Sequence, residues 1–184
     1  MFSKPNAIVY VRRNDLIIGG KHINAGKLKL PIEIVNNLEI LDPDSFIDLC
    51  QDFFSSHNLK GKRALVILDQ SIIFSKLIEL NSSNKNDLDL YIDNYIDQMP
   101  YLPSQRSVIK YKDNEKFKIY ATNADIYQAV VDSLKLCGIS KIVSISPSSA
   151  YTIDFSLKSS EIIDQFMIDK KVWKTYDFST TSSV

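Results

Sequence analysis

Between Arg63 and Gln70 the chain reads ALVILD, five apolar residues in a row and then a carboxylate (Ala64–Asp69). A membrane helix needs roughly 20 apolar residues, so this run spans nothing. It has no polar face to turn towards water. It therefore reads as a central strand, and the rest of the chain must be arranged to cover it.

The flanking segments supply that cover. Upstream, LDPDSFIDLCQDFFSSHN predicts a helix: Asp42 suits the N-cap, Pro43 the first turn and Asp44 the positive helix end. Phe46, Leu49, Cys50 and Phe53 form its core face, and Gly61 breaks it. Downstream, Asp69-Gln70 begins a turn and IIFSKLIEL returns as a second strand. After NSSNKND, the residues Leu88, Tyr91, Ile92, Tyr95, Ile96 and Met99 predict an amphipathic helix that Pro100 and Pro103 end. SVIKYK and KFKIYA form a hairpin around Asp113-Asn114-Glu115. NADIYQAVVDSLKLCG is a third helix, capped by Asn123 and stopped by Gly138. KIVSIS is a further strand, and a helix is expected from Pro147. Near the start, NAIVYVRR and LIIGG make a hairpin around Asn14-Asp15, and Lys27–Val35 alternates as an exposed strand does. The order implies an α/β (mixed α+β) fold, with mixed sheets built from β-hairpins and covered by helices. The small polar end, DFSTTSSV, is expected to be disordered.

Several function classes lose support at once. Lys plus Arg equals Asp plus Glu at 22 each over 184 residues. That balance argues against bulk electrostatic binding to nucleic acid, without excluding a local patch. Cys50 and Cys137 sit in helical apolar patterns and read as buried free thiols. His22 and His57 have no metal-ligand spacing around them, and no metal site is expected. The Gly20-Lys21 pair invites a phosphate-loop reading, but Asp15 stands where the first glycine belongs and His22 where Ser or Thr belongs. The serines around Pro147 lack a nucleophile elbow. No catalytic residue and no cofactor is expected.

Two surfaces attract attention. Asp89, Asp93 and Asp97 recur every fourth residue, one acidic line on the second helix with no Lys or Arg between Lys85 and Arg106. It suits a basic partner, or a divalent ion, for which helical Asp at this spacing is a poor oxygen cage, or it is a solvated face. Lys110 and Lys112 share one strand face, and Lys116 and Lys118 share one face of the next. The four are expected to form a single basic patch, either for an acidic partner or to protect an edge strand.

The order of short motifs resembles a known family. A helix ends in a Gly-Lys turn (Asn58–Arg63), a strand hairpin follows (Val66–Leu80), and a helix runs into Met99-Pro100-Tyr101-Leu102-Pro103. A strand pair, a helix ending at Gly138-Ile139 and another strand complete the unit. Over Ile32–Phe155 this is similar to the cytoplasmic actin-like proteins of type IV pilus assembly, and equally to the cytoplasmic part of the type II secretion L protein. The resemblance implies an incomplete actin-like (ribonuclease H-like) fold over 1–170, divisible into two subdomains with 40–122 inserted, and a flexible juxtamembrane tail over 171–184. The chain departs from full actin-like members. Val11–Asp15 lacks their Asp-x-Gly phosphate hairpin, and the second nucleotide half is missing. This favours the membrane-anchored variants, such as the L proteins and the bundle-forming pilus C protein.

The implied function is a non-catalytic scaffold on the cytoplasmic side of the bacterial inner membrane, anchored by a membrane helix beyond the end of this chain. Its implied partners are the hexameric secretion or pilus-extension ATPase and the polytopic inner-membrane platform protein, with a homodimer left open and no nucleic acid. Basic residues and Trp173 in DKKVWKTYDF suit a segment nearing the membrane face. Two other readings stay open: an actin-like nucleotide-binding ATPase, and an RNA-binding α/β module using the lysine hairpin.

Overall fold

A computed structural model describes residues 4–79, 87–113, 116–152, 165–167 and 169–180, with Asp113 and Lys170 described by backbone alone. The approach NSSNKND up to residue 86, the hairpin tip at 114–115, the stretch 153–164 after the expected helix start, and the end at 181–184 lie outside these residues.

The elements are β1 (Ala7–Val11), β2 (Asp15–Gly20), β3 (Ile23–Lys29), β4 (Val35–Asn36), β5 (Glu39–Ile40), α1 (Pro43–Ser55), β6 (Arg63–Leu68) and β7 (Phe74–Glu79). They continue with α2 (Leu88–Asp97), β8 (Arg106–Asp113), β9 (Lys116–Asn123), α3 (Ala124–Leu136), β10 (Lys141–Pro147) and α4 (Lys170–Thr175). A five-stranded sheet runs β10-β6-β1-β2-β3, and a three-stranded sheet runs β7-β9-β8. In the larger sheet β6 is parallel to both β1 and β10, whereas β2 is antiparallel to its neighbours.

The apolar run 64–68 has the interior position it required. Ala64, Val66 and Leu68 face a core shared with Phe46, Cys50 and Phe54 of α1 and Val130 and Leu134 of α3. Leu65 and Ile67 face the opposite way, onto Tyr151, Phe166 and Trp173. Successive strand residues point to opposite faces, so a strand covered on both sides needs no polar position. The α1 cap is as expected: Asp42 accepts from the Ser45 N–H at 3.1 Å, and Pro43 opens the helix. Both cysteines are free, Cys50 fully buried and Cys137 half-buried.

Four expectations are corrected. First, β6 and β7 do not pair as a hairpin. Asp69 caps a 3-10 turn over Gln70–Ile72, and β7 leaves to join β9 in the other sheet. A run that reads as a returning strand carries no information about which sheet it returns to. Second, the exposed strand expected over Lys27–Val35 stops at Lys29, where Pro31 opens a turn and only Val35–Asn36 pair again, with β5. Third, the chain after Pro147 makes a 3-10 turn at Ser148–Ala150 rather than opening directly into an α-helix. Fourth, 171–180 is not loose. Trp173 and Phe178 are 3% and 1% exposed, and Asp177 accepts from the Ile145 N–H at 2.9 Å. Trp173 covers the second face of the large sheet instead of turning outward to a membrane, because that face would otherwise expose Ile8, Leu65 and Ile67.

Glycine is required at one bend of the first hairpin. Gly20 has φ +142°, and a Cβ there would lie 2.5 Å from the Asn6 carbonyl oxygen. Gly20, which invites a phosphate-loop reading, thus lets β2 pass close to the start of β1.

Candidate docking surfaces

The place where an actin-like phosphate hairpin would lie is a closed, charged turn. The Arg12 N–H donates to the Asp15 carbonyl at 2.9 Å, tying β1 to β2. The Arg12 guanidinium donates to the Asp15 carboxylate at 2.9 Å, and Lys27 of β3 lies 3.1 Å from the same carboxylate. Asp15 is buried, so pairing with two cations is what makes its charge tolerable. Beside it, the Asp69 N–H donates to the Val11 carbonyl at 2.8 Å, and the Tyr10 hydroxyl donates to the Asp69 carboxylate. Burial and then the neighbouring Asp69 push the Tyr10 hydroxyl well above its ordinary pKa. Burial raises the Asp69 carboxyl, but hydrogen bonds from Ser71 and Tyr10 outweigh it and leave its pKa below the usual value. Each of these polar groups is committed to a neighbour within the turn.

The lysine hairpin does not make one patch. In β8–β9, Lys110 lies opposite Ile119 and Lys112 opposite Phe117, whereas Lys118 lies opposite Tyr111 and Lys116 opposite Asp113. Residues directly opposite in an antiparallel pair share a face. Lys110 and Lys112 therefore share the face of Ile119 and Phe117, and Lys116 and Lys118 share the other. The expectation came from strand parity alone, and only the register decides which parities coincide.

The acidic line is brought to one of those faces. α2 lies along β8, and Asp93, Ile96, Asp97, Arg106, Val108 and Lys110 line a groove of about 320 Å³ between them. The Arg106 guanidinium is 3.1 Å from Asp97, so the last carboxylate has the cationic partner that its own helix lacks. Asp89 and Asp93 are exposed. So are Leu90 and Tyr91, at 64% and 47%. Tyr91 thus leaves the expected buried stripe, which Ile92, Leu88, Tyr95 and Ile96 carry instead.

The sequence reading missed a second groove, larger than the one beside α2. A groove of about 850 Å³ separates the start of α1 and α3 from the proline-bounded stretch 99–105. Ile47, Met99 and Leu102 give it apolar surface, and Glu39, Asp125 and Asp132 give it acidic surface, with no Lys or Arg among the described residues that line it. Tyr101 is buried in its wall, and its hydroxyl has no hydrogen-bond partner among the described residues. Burial pushes that hydroxyl up to about 12, so it stays a neutral donor. The sequence signal was the Met99–Pro103 stretch, read only as a helix stop. Pro100 keeps the chain from continuing α2 and Pro103 opens a 3-10 turn over Pro103–Gln105, and here that leaves an apolar shelf beside α3.

Among the described residues no cluster of His, Cys, Asp and Glu suits a metal, and no helix is long and apolar enough to cross a membrane. No protein-family model and no curated protein matches the sequence. Solved structures do. The cytoplasmic domain of EpsL, an inner-membrane component of the type II secretion system of Vibrio cholerae, superposes with TM-score 0.51 at 13% identity over 81% of this chain and 60% of that one. A PilM–PilN type IV pilus biogenesis complex matches with TM-score 0.48 at 8% identity, over 75% of this chain and 46% of its counterpart. A Bacteroides thetaiotaomicron protein of actin-like ATPase fold and unknown function matches with TM-score 0.43 at 10% identity, over 90% and 56%. The likeness to EpsL is a likeness of fold, and it bears out the expected mixed α/β architecture and the resemblance to the secretion L proteins at that level. The chain spans 60% of the EpsL domain it matches.

Proposed function

We propose that this chain is a non-catalytic docking scaffold of a type II secretion or type IV pilus inner-membrane platform, and that it holds the cytoplasmic secretion ATPase at the membrane. The observation that carries the reading is the outer face of α2. Leu90 is exposed there one turn from Asp93, Tyr91 and Asp89 are exposed on its two opposite flanks, and the helix contains no Lys or Arg. Exposed apolar side chains flanked by carboxylates fit a partner helix with apolar anchors and basic flanks. The acidic groove beside Tyr101 suits a second, extended segment, which we assign to the platform protein. Lys110, Lys112, Lys116 and Lys118 then serve two different faces of the smaller sheet. We take that sheet with α2, rather than the whole of 40–122, as the inserted subdomain, since α1 and β6 pack within the larger layer.

The test is calorimetric titration with the N-terminal domain of the hexameric ATPase encoded nearby. Micromolar or tighter association, weakened at least tenfold by L90A/D93K, supports the reading. Binding indifferent to that change moves the site elsewhere. Absence of binding, together with a melting temperature raised by ATP, favours the actin-like ATPase instead, since a ligand selective for the folded state stabilises it.

A further inference from the structure

A net charge of zero conceals a segregated charge distribution. Residues 4–11, 16–32, 53–68 and 133–153 contain no Asp or Glu. The sheet gathers parts of all four at one end. Ala7 pairs with Gly20 and with Ala64, Gly20 pairs with Ile23, and Arg63 pairs with Lys141. Lys4, Lys21, Lys60, Lys62, Arg63 and Lys141 therefore crowd the edge where the parallel strands begin. None of the six takes part in an ion pair among the described residues.

The end is rigidly built. The Lys21 N–H donates to the Asn6 carbonyl at 3.1 Å, and the Arg63 N–H donates to the Asn6 side chain at 2.7 Å. The Gly61 N–H donates to the Gly138 carbonyl and the Ser140 N–H to the Lys62 carbonyl, each at 2.8 Å. Two of the cations are held only by carbonyls: Lys62 donates to Lys21 O at 3.3 Å and Arg63 to Lys4 O at 2.8 Å. The carboxyl ends of α1 and α3 also lie here and offset roughly half a charge each. That leaves most of the six uncompensated.

We propose that this end is a docking plate for an anionic phospholipid surface. Like charges held side by side on short tied loops demand a partner that is itself an extended anionic plane. The loops 4–6, 20–23, 58–63 and 137–141 carry no Phe, Tyr or Trp to stack on bases, as single-stranded nucleic-acid binders do. Neither groove described above includes any of these residues. The contact is electrostatic and peripheral, with each Lys or Arg near the surface strengthening it about fivefold. It stands independently of the ATPase reading and would set which end of the scaffold faces the membrane.

The test is flotation of the folded protein with mixed phosphatidylglycerol–phosphatidylcholine vesicles. Circular dichroism verifies that each variant is folded. Binding is expected to the mixed vesicles and not to phosphatidylcholine alone, and to fall as salt rises. K21Q/K60Q/K141Q is expected to weaken it roughly a hundredfold, and K110Q/K112Q to leave it unchanged. Failure to float at low salt overturns the proposal, as does equal loss in both variants. Tighter binding to poly-uridylate RNA at the same salt would overturn it in favour of nucleic acid. A melting temperature raised by inorganic phosphate, and lost in the triple variant, would overturn it in favour of a discrete anion site. The ATPase titration is unaffected by any of these outcomes.

Discussion

Asn123 ties the end of the three-stranded sheet to the β4–β5 turn, and its replacement tests that joint directly. It is the last residue of β9 and the N-cap of α3, and it is 2% exposed. Its side-chain oxygen accepts from the Asp125 N–H at 2.9 Å, and its side-chain nitrogen donates to the Leu38 carbonyl at 3.0 Å. Leu38 lies in the β4–β5 turn, buried and at φ +67°, beside Asn37 at φ +48°. A leucine held in that region costs about 1 kcal/mol or more, so the bond helps to hold a strained turn. Asn123→Ala removes the cap, worth about 1 kcal/mol. It also strands a buried carbonyl, which costs about 1–3 kcal/mol. A total loss of about 2–4 kcal/mol is expected, and in urea a slope of about 2 kcal/mol per molar converts this to a midpoint shift of about 1–2 M. Asn123→Asp separates the two parts. It keeps a good cap but turns an acceptor towards the Leu38 carbonyl, so it should recover none of the second part. A loss under about 0.5 kcal/mol for the alanine variant, or an aspartate variant as stable as the parent, would refute this account. Asn123 also lines the acidic groove, so a weakened joint should loosen that wall as well.

Trp173→Ala should cost about 3–5 kcal/mol in urea unfolding, because the ring fills the second face of the large sheet, whereas a loose tail would show no change. Gly26→Ala should destabilise by about 1–3 kcal/mol, since its Cβ would fall 2.2 Å from His57 Nε2. Adding His57→Ala should recover most of that loss in a double-mutant cycle. The Tyr10–Asp69 pair should shape both limbs of the stability–pH profile. Asp69 is depressed when folded, so its contribution is present above the unfolded carboxylate pKa and is lost as acid titrates the folded group. Tyr10 is raised, so its contribution is full below about pH 10 and is lost in stronger alkali. Asp69→Asn should flatten the acid limb and Tyr10→Phe the alkaline one. Unchanged slopes in both would contradict the bond.

What the sequence determined by itself is local. Asp42 and Pro43 start α1, Asn123 starts α3, and Gly138 follows α3 at φ +84°. Each is legible because a cap or a positive-φ stop depends on neighbours a few residues away. The central strand was legible for a similar reason, since five consecutive apolar residues admit no exposed face. Tertiary structure alone decided the rest. Strand pairing sends β7 to β9 rather than β6, and one register places Lys110 and Lys118 on opposite faces of their sheet. Closure of the large sheet brings Lys4, Lys21, Lys60 and Lys141 to one end, although they are far apart in the chain and its net charge is zero. Side-chain parity has period two, so a one-residue change of register reverses every face, and the contacts that set the register come from distant parts of the chain.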